Sequence, residues 1–89
     1  MKIVDENYKM SETEKDSCFF VPSFHGHKML IKPGDIVEHK LEKQKLLYIG
    51  SVRKEIEHNY FIEVYYERLF RDKDLKEHVL DPVELRGVY

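Results

Sequence analysis

KPGDIVEHKL (residues 32–41), KLLYIGSVRKEIE (45–57) and NYFIEVYY (59–66) read as three successive β-strands, and their reading decides the fold. Pro33 presets φ for the first central position of a turn, and Gly34 supplies the positive φ that a type II turn needs next. Pro33-Gly34-Asp35 therefore turns the chain directly into Ile36-Val37. Val37, His39 and Leu41 share one strand face, with Ile36, Glu38 and Lys40 on the other. Glu42 to Lys45 is a polar break, and Leu46 to Ile49 is apolar. Gly50 marks a bulge or bend, after which Val52 continues the Leu46/Tyr48 face. Residues 55–59 break the pattern again. Tyr60, Ile62, Val64 and Tyr66 then alternate with Phe61, Glu63 and Tyr65. β-Branched and aromatic residues make this the strongest strand signal in the chain.

Working outward, residues 1–17 are a polar arm, with Ile3 and Val4 suited to an edge strand. Ser11 and Glu14 have the spacing of a helix capping box, but no apolar run follows, so a loose lead-in is expected. Cys18-Phe19-Phe20-Val21 is a compact apolar strand closed by Pro22, and Phe19–Val21 is expected to pair with Met29–Ile31 across the loop Phe24–His27. Beyond Tyr66, the dense charges of Glu67–Glu77 fit a hairpin loop or one helical turn. His78–Leu80 is a short strand stopped by Asp81-Pro82. Val83–Leu85 suits a tight 3₁₀ turn, and Arg86–Tyr89 a last short strand or tail.

The 89 residues make one domain with a single small core, which favours a compact barrel, a partner, or both. The domain proper is expected at 18–89, with its N-terminal strand or hairpin at 18–31. No apolar run approaches the ~18 residues of a membrane helix, and the N-terminus lacks the apolar stretch of a signal peptide. One cysteine, Cys18, allows no internal disulfide, and these features together point to the cytoplasm. Charge is uneven. Residues 28–54 carry seven basic and three acidic residues, while 55–89 carry five basic and nine acidic ones. The overall formal charge of -2 is far from the basic excess of a dedicated nucleic-acid binder, though a local basic face survives.

The order of elements, from the Pro-Gly-Asp turn through two long apolar strands and a charged loop to a short strand and Val83-Glu84-Leu85, resembles the SH3-like small barrels. That group includes the KOW and Tudor modules. Gly34, Asp35, Val37, His39 and Lys40 also match a Gly-Asp-x-Val-x-His-Lys opening of small bacterial and phage proteins. The resemblance covers about residues 32–86 and implies an all-β barrel of about five strands with an N-terminal extension. The chain departs from it in the Phe70–Glu77 segment and in the N-terminal third. The shared residues are structural, so no binding residue is carried over. Tudor modules hold methylated side chains in aromatic cages, and Tyr48, Tyr60, Phe61, Tyr65 and Tyr66 supply aromatics without showing that they converge.

Cys18, His25 and His27, with His39 as a fourth ligand, are the best metal candidates. A buried structural cysteine beside exposed loop histidines is the simpler reading, so no metal and no cofactor are expected. No phosphate-binding glycine loop, nucleophile elbow or metalloprotease helix motif is present, and no enzyme is expected. In the aromatic run, the Tyr60/Ile62/Val64/Tyr66 face is expected to be core, which leaves Phe61 and Tyr65 opposite it. These two stack on bases beside Arg53, Lys54 or Arg68, anchor a protein partner, or pack under Phe19-Phe20. The expected function is a non-catalytic module binding another protein through Phe61, Tyr65 and the basic group Lys40, Lys43, Lys45 and Arg53. The alternatives are a KOW-like nucleic-acid-binding barrel, with the same basic residues on phosphates, and a structural part of a phage or cellular assembly. Self-association through an open strand edge belongs with the last.

Overall fold

The structure, a computed structural model, describes residues 1–88, so the Tyr89 end of the expected tail lies outside the described residues. The chain is mostly β, in two antiparallel sheets. β1 (Lys2–Val4), β2 (Phe19–Pro22) and β3 (Lys28–Ile31) form the smaller, in the order β1-β3-β2. β4 (Ile36–His39), β5 (Lys45–Glu57), β6 (Ile62–Arg71), β7 (Glu77–Val79) and β8 (Leu85–Gly87) form the larger, in the order β7-β6-β5-β4-β8. No hydrogen-bonded ladder closes the five strands into a barrel among the described residues. α1 (Glu12–Ser17) and 3₁₀ turns at Phe24–Gly26 and Pro82–Glu84 complete the fold.

The core is a layer between the two sheets. Phe19, Val21, Met29 and Ile31 come from alternate positions of β2 and β3, and Val37, Leu46, Tyr48, Phe70 and Leu85 from the larger sheet. Each such side chain contributes roughly 1.5–3 kcal/mol by leaving water. The Phe19 ring meets Tyr48 edge-on at 4.8 Å between centroids. The buried Tyr48 hydroxyl donates to the Ser17 carbonyl at 2.6 Å and accepts from Arg68 Nη1 at 3.2 Å, so its burial leaves no polar group unpaired. Where β8 crosses the smaller sheet, the backbone of Gly87 lies against Met29; a Cβ there would fall 2.1 Å from Met29 Sδ.

The expected β2–β3 pairing is present, with Phe19 opposite Ile31 and Val21 opposite Met29. β1 adds to β3 as an edge strand. Gly34 has φ +98, and the Asp35 N–H donates to the Lys32 carbonyl at 3.0 Å, closing the expected turn. Three expectations give way. The capping box of Ser11 and Glu14 starts a helix, though one of only six residues with none buried. Its end is held to the sheet by hydrogen bonds rather than by an apolar face, which is why the apolar pattern missed it. β4 stops at His39, so Leu41 is exposed in the turn instead of sharing the Val37 face. Glu67–Arg71 continues β6 rather than forming a loop or helical turn; Leu69–Arg71 pairs with β7. Only Asp72–Lys76 turns, because the buried Asp72 carboxylate gathers the N–H groups of Asp74 and Lys76, each at 2.9 Å.

Candidate functional site

β5 and β6 outrun the sheet that holds them. β4 pairs with β5 only as far as Leu47, and β7 with β6 only from Leu69 onward. The two long strands stay paired out to Glu57 and Ile62. Residues 50–57 and 62–68 therefore form a two-stranded ribbon that leaves the core behind. Its tip is His58-Asn59-Tyr60-Phe61. The His58 N–H donates to the Phe61 carbonyl at 2.9 Å, and the two rings stack at 4.6 Å. Glu63 Oε2 lies 3.0 Å from His58 Nε2.

A bulge sets which side chains the ribbon presents. Tyr48 pairs with Phe70, but the next pair is Gly50 with Leu69, so Ile49 is an extra residue. Gly50 takes φ +148, which an L side chain rarely adopts. The extra residue reverses the alternation. Val52 lies opposite Glu67 and so faces away from the Tyr48/Phe70 side, contrary to the unbroken face expected from the sequence. One ribbon face now carries Ser51, Arg53, Glu55, Ile62, Val64 and Tyr66. The other carries Val52, Lys54, Ile56, Glu63 and Tyr65.

The root of the first face is anchored. The Tyr66 hydroxyl donates to Asp16 Oδ1 at 2.8 Å, and the Ser51 hydroxyl to the Asp16 carbonyl. That hydrogen bond to Asp16 raises the Tyr66 pKa, because it favours the protonated phenol beside a carboxylate. Arg68 lies over the rings of Phe19 and Tyr66, at 5.7 and 5.5 Å. Farther out, neither face is covered. Tyr60 is 96% and Phe61 62% exposed, and Val52, Ile56, Ile62, Val64 and Tyr65 are also open to solvent. The expectation that Tyr60, Ile62, Val64 and Tyr66 form a core face is overturned: the core ends at Tyr48 and Phe70. Packing of Phe61 and Tyr65 under Phe19-Phe20 is overturned as well. Phe19 is occupied by Tyr48 and Phe70, and Phe20 by Tyr8.

Of the residues expected at the contact surface, the structure brings Phe61, Tyr65 and Arg53 onto the ribbon. Arg53 pairs there with Glu55. Lys40, Lys43 and Lys45 sit around the β4–β5 turn, at the other end of a 13-residue strand spanning about 40 Å. Lys40 Nζ donates to the Val83 carbonyl at 2.8 Å. Tyr60, Ile62 and Val64 were expected in the core, not at the surface. Their signal was apolar side chains on both faces of adjoining strands, which a half-buried strand does not need.

The other chemical groups are dispersed. Cys18 is buried, His25 and His27 are exposed, and His39 accepts from the Glu42 N–H at 3.2 Å through Nδ1. No three His, Cys, Asp or Glu side chains gather as a metal site among the described residues. Asp72 and His78 approach to 2.8 Å, and this bond, with the turn N–H groups, lowers the Asp72 pKa. No helix among the described residues is long and apolar enough to cross a membrane. No protein-family model matches the chain, and no curated protein or solved structure matches it significantly.

Proposed function

We propose that the chain is a non-catalytic interaction module, an SH3-like small barrel whose elongated β5–β6 ribbon binds another protein. The fold part of this reading is supported by the strand order. β4 to β7 form a meander, a 3₁₀ turn follows, and β8 returns to pair with β4. The observation that carries the functional part is the exposed apolar ribbon. A two-stranded ribbon is marginal in water on its own, and grouped exposed apolar side chains mark contact surfaces. Tyr60 and Phe61 at the tip have the size and stiffness of interface anchors.

Charge favours protein over nucleic acid. Along the ribbon, Arg53, Lys54 and Arg68 are outnumbered by Glu55, Glu57, Glu63 and Glu67. Such a near-balanced surface offers no basic stripe to displace counterions from phosphates. The experiment is capture on the tagged chain, with and without nuclease, alongside Phe61→Ala and Lys43→Ala. A protein kept after nuclease and lost in Phe61→Ala supports the reading. Material lost with nuclease and weakened by Lys43→Ala favours the KOW-like alternative.

A further inference from the structure

The β6 side of the ribbon has an open edge. Beyond β7, the Arg68 carbonyl accepts from the Leu80 N–H at 3.2 Å. Backbone groups alternate in direction along a strand, so those of Tyr66, Val64 and Ile62 point the same way. No strand stands beside them among the described residues. The tip gives the same alternation from the other end, since the Phe61 carbonyl is used inside the hairpin. The two edges of the ribbon differ in kind. The β5 edge reads Arg53-Lys54-Glu55-Ile56-Glu57, and charges of this density guard against strand addition. The β6 edge reads Phe61-Ile62-Glu63-Val64-Tyr65-Tyr66, and its one charge is engaged by His58.

We infer that the β6 edge pairs antiparallel with the β6 edge of a second copy of this chain, about a two-fold axis through Val64. The inference rests on the ribbon being the contact surface and names its occupant. Charge selects the register. With the axis at Val64, Ile62 faces Tyr66 of the second copy, Glu63 faces Tyr65, and Phe61 faces Glu67, so no like charges stand directly opposite each other. An axis at Glu63 sets that carboxylate against itself, and an axis at Tyr65 sets Glu63 against Glu67. The same register brings each tip up to Glu67 of the other copy, beside Leu80. There a shallow groove is lined by Tyr65, Glu67, Val79, Leu80 and Pro82. It receives Tyr60 and Phe61, so the edge and the tip are satisfied by one symmetric contact.

The test is sedimentation of the full chain over a concentration series, with three variants. Val64→Pro deletes the outward N–H at the axis, and Val64→Lys places two ammonium groups there; Val64 is 42% exposed, so neither disrupts the core. Glu55→Pro makes the equivalent change on the β5 edge. Amide NMR dispersion checks that each folds. A concentration-dependent dimer is expected, weakened at least about tenfold by both Val64 variants and unaffected by Glu55→Pro. A monomer up to roughly 1 mM, the weak end of specific association, overturns the inference. So does a dimer that survives both Val64 variants, or one that Glu55→Pro breaks equally. A monomer that still captures another protein through Phe61 removes the dimer and leaves the proposed function standing. A dimer with no other captured protein does the reverse.

Discussion

The Tyr66 hydroxyl donates a hydrogen bond to Asp16 Oδ1 at 2.8 Å, joining residues 50 positions apart and tying the N-terminal arm to the root of the ribbon. The phenol must be protonated to donate. Its folded pKa lies above the ordinary tyrosine value, so the stability it contributes is complete below the unfolded pKa. That stability is lost as pH rises from about 10 through the folded value. Chemical denaturation against pH is expected to show an alkaline fall for the wild type and a smaller fall for Tyr66→Phe.

Tyr48 makes the second link to the arm from inside the core. Tyr48→Phe keeps the ring contacts with Phe19 and Phe70 but strands the Ser17 carbonyl and removes the acceptor for Arg68. A loss of about 1–2 kcal/mol is expected in urea unfolding. Tyr48→Leu, which also removes the ring packing, is expected to cost more.

Asp72 contributes to stability on the acid side. Its folded pKa is depressed, first by His78 and then by the Lys76 and Asp74 N–H groups, with desolvation opposing. The stability it contributes is present above the unfolded carboxylate pKa and is lost as pH falls through the lower folded value. Asp72→Asn is expected to lower stability at neutral pH and to flatten the acid side of the profile below about pH 4.

Two glycines are expected to resist substitution for different reasons. Gly87→Ala drives a methyl group into Met29, which is fully enclosed, and is expected to cost about 1–3 kcal/mol by overpacking. Gly50→Ala meets no neighbour within 4 Å, so its cost, roughly 1–3 kcal/mol, comes from φ +148 alone. Met29→Ala is expected to recover part of the loss in Gly87→Ala and none of the loss in Gly50→Ala. Thermal unfolding of the three single and the two double variants, with the doubles read against Met29→Ala, checks both.

Much of the fold was legible because its signals are local. Pro33-Gly34 states its turn in two residues, and the β2 and β3 segments state their pairing by apolar length. What was not legible depends on partners distant in sequence. Gly50 announced a bulge, but not that Ile49 would be the extra residue and would turn Val52 to the other face. Glu67–Arg71 looked like a loop because its charges are dense; β7 and Asp72 make it a strand and a turn. The aromatic run gave the right strand and the wrong environment. Alternation fixes which side chains share a face, whereas burial depends on where β4 and β7 stop. For the same reason one sequence-derived set of contact residues falls at two ends of β5.

Amide hydrogen exchange tests most directly whether the ribbon is the contact surface. It is measured residue by residue on the dilute free chain and with its partner bound, whether a second copy or a captured protein. New protection is expected at Ile62, Val64 and Tyr66, whose N–H groups face outward on the open edge, and little change at Lys40, Lys43 and Lys45. Protection that gathers at the β4–β5 turn and leaves 61–66 unchanged would contradict the account.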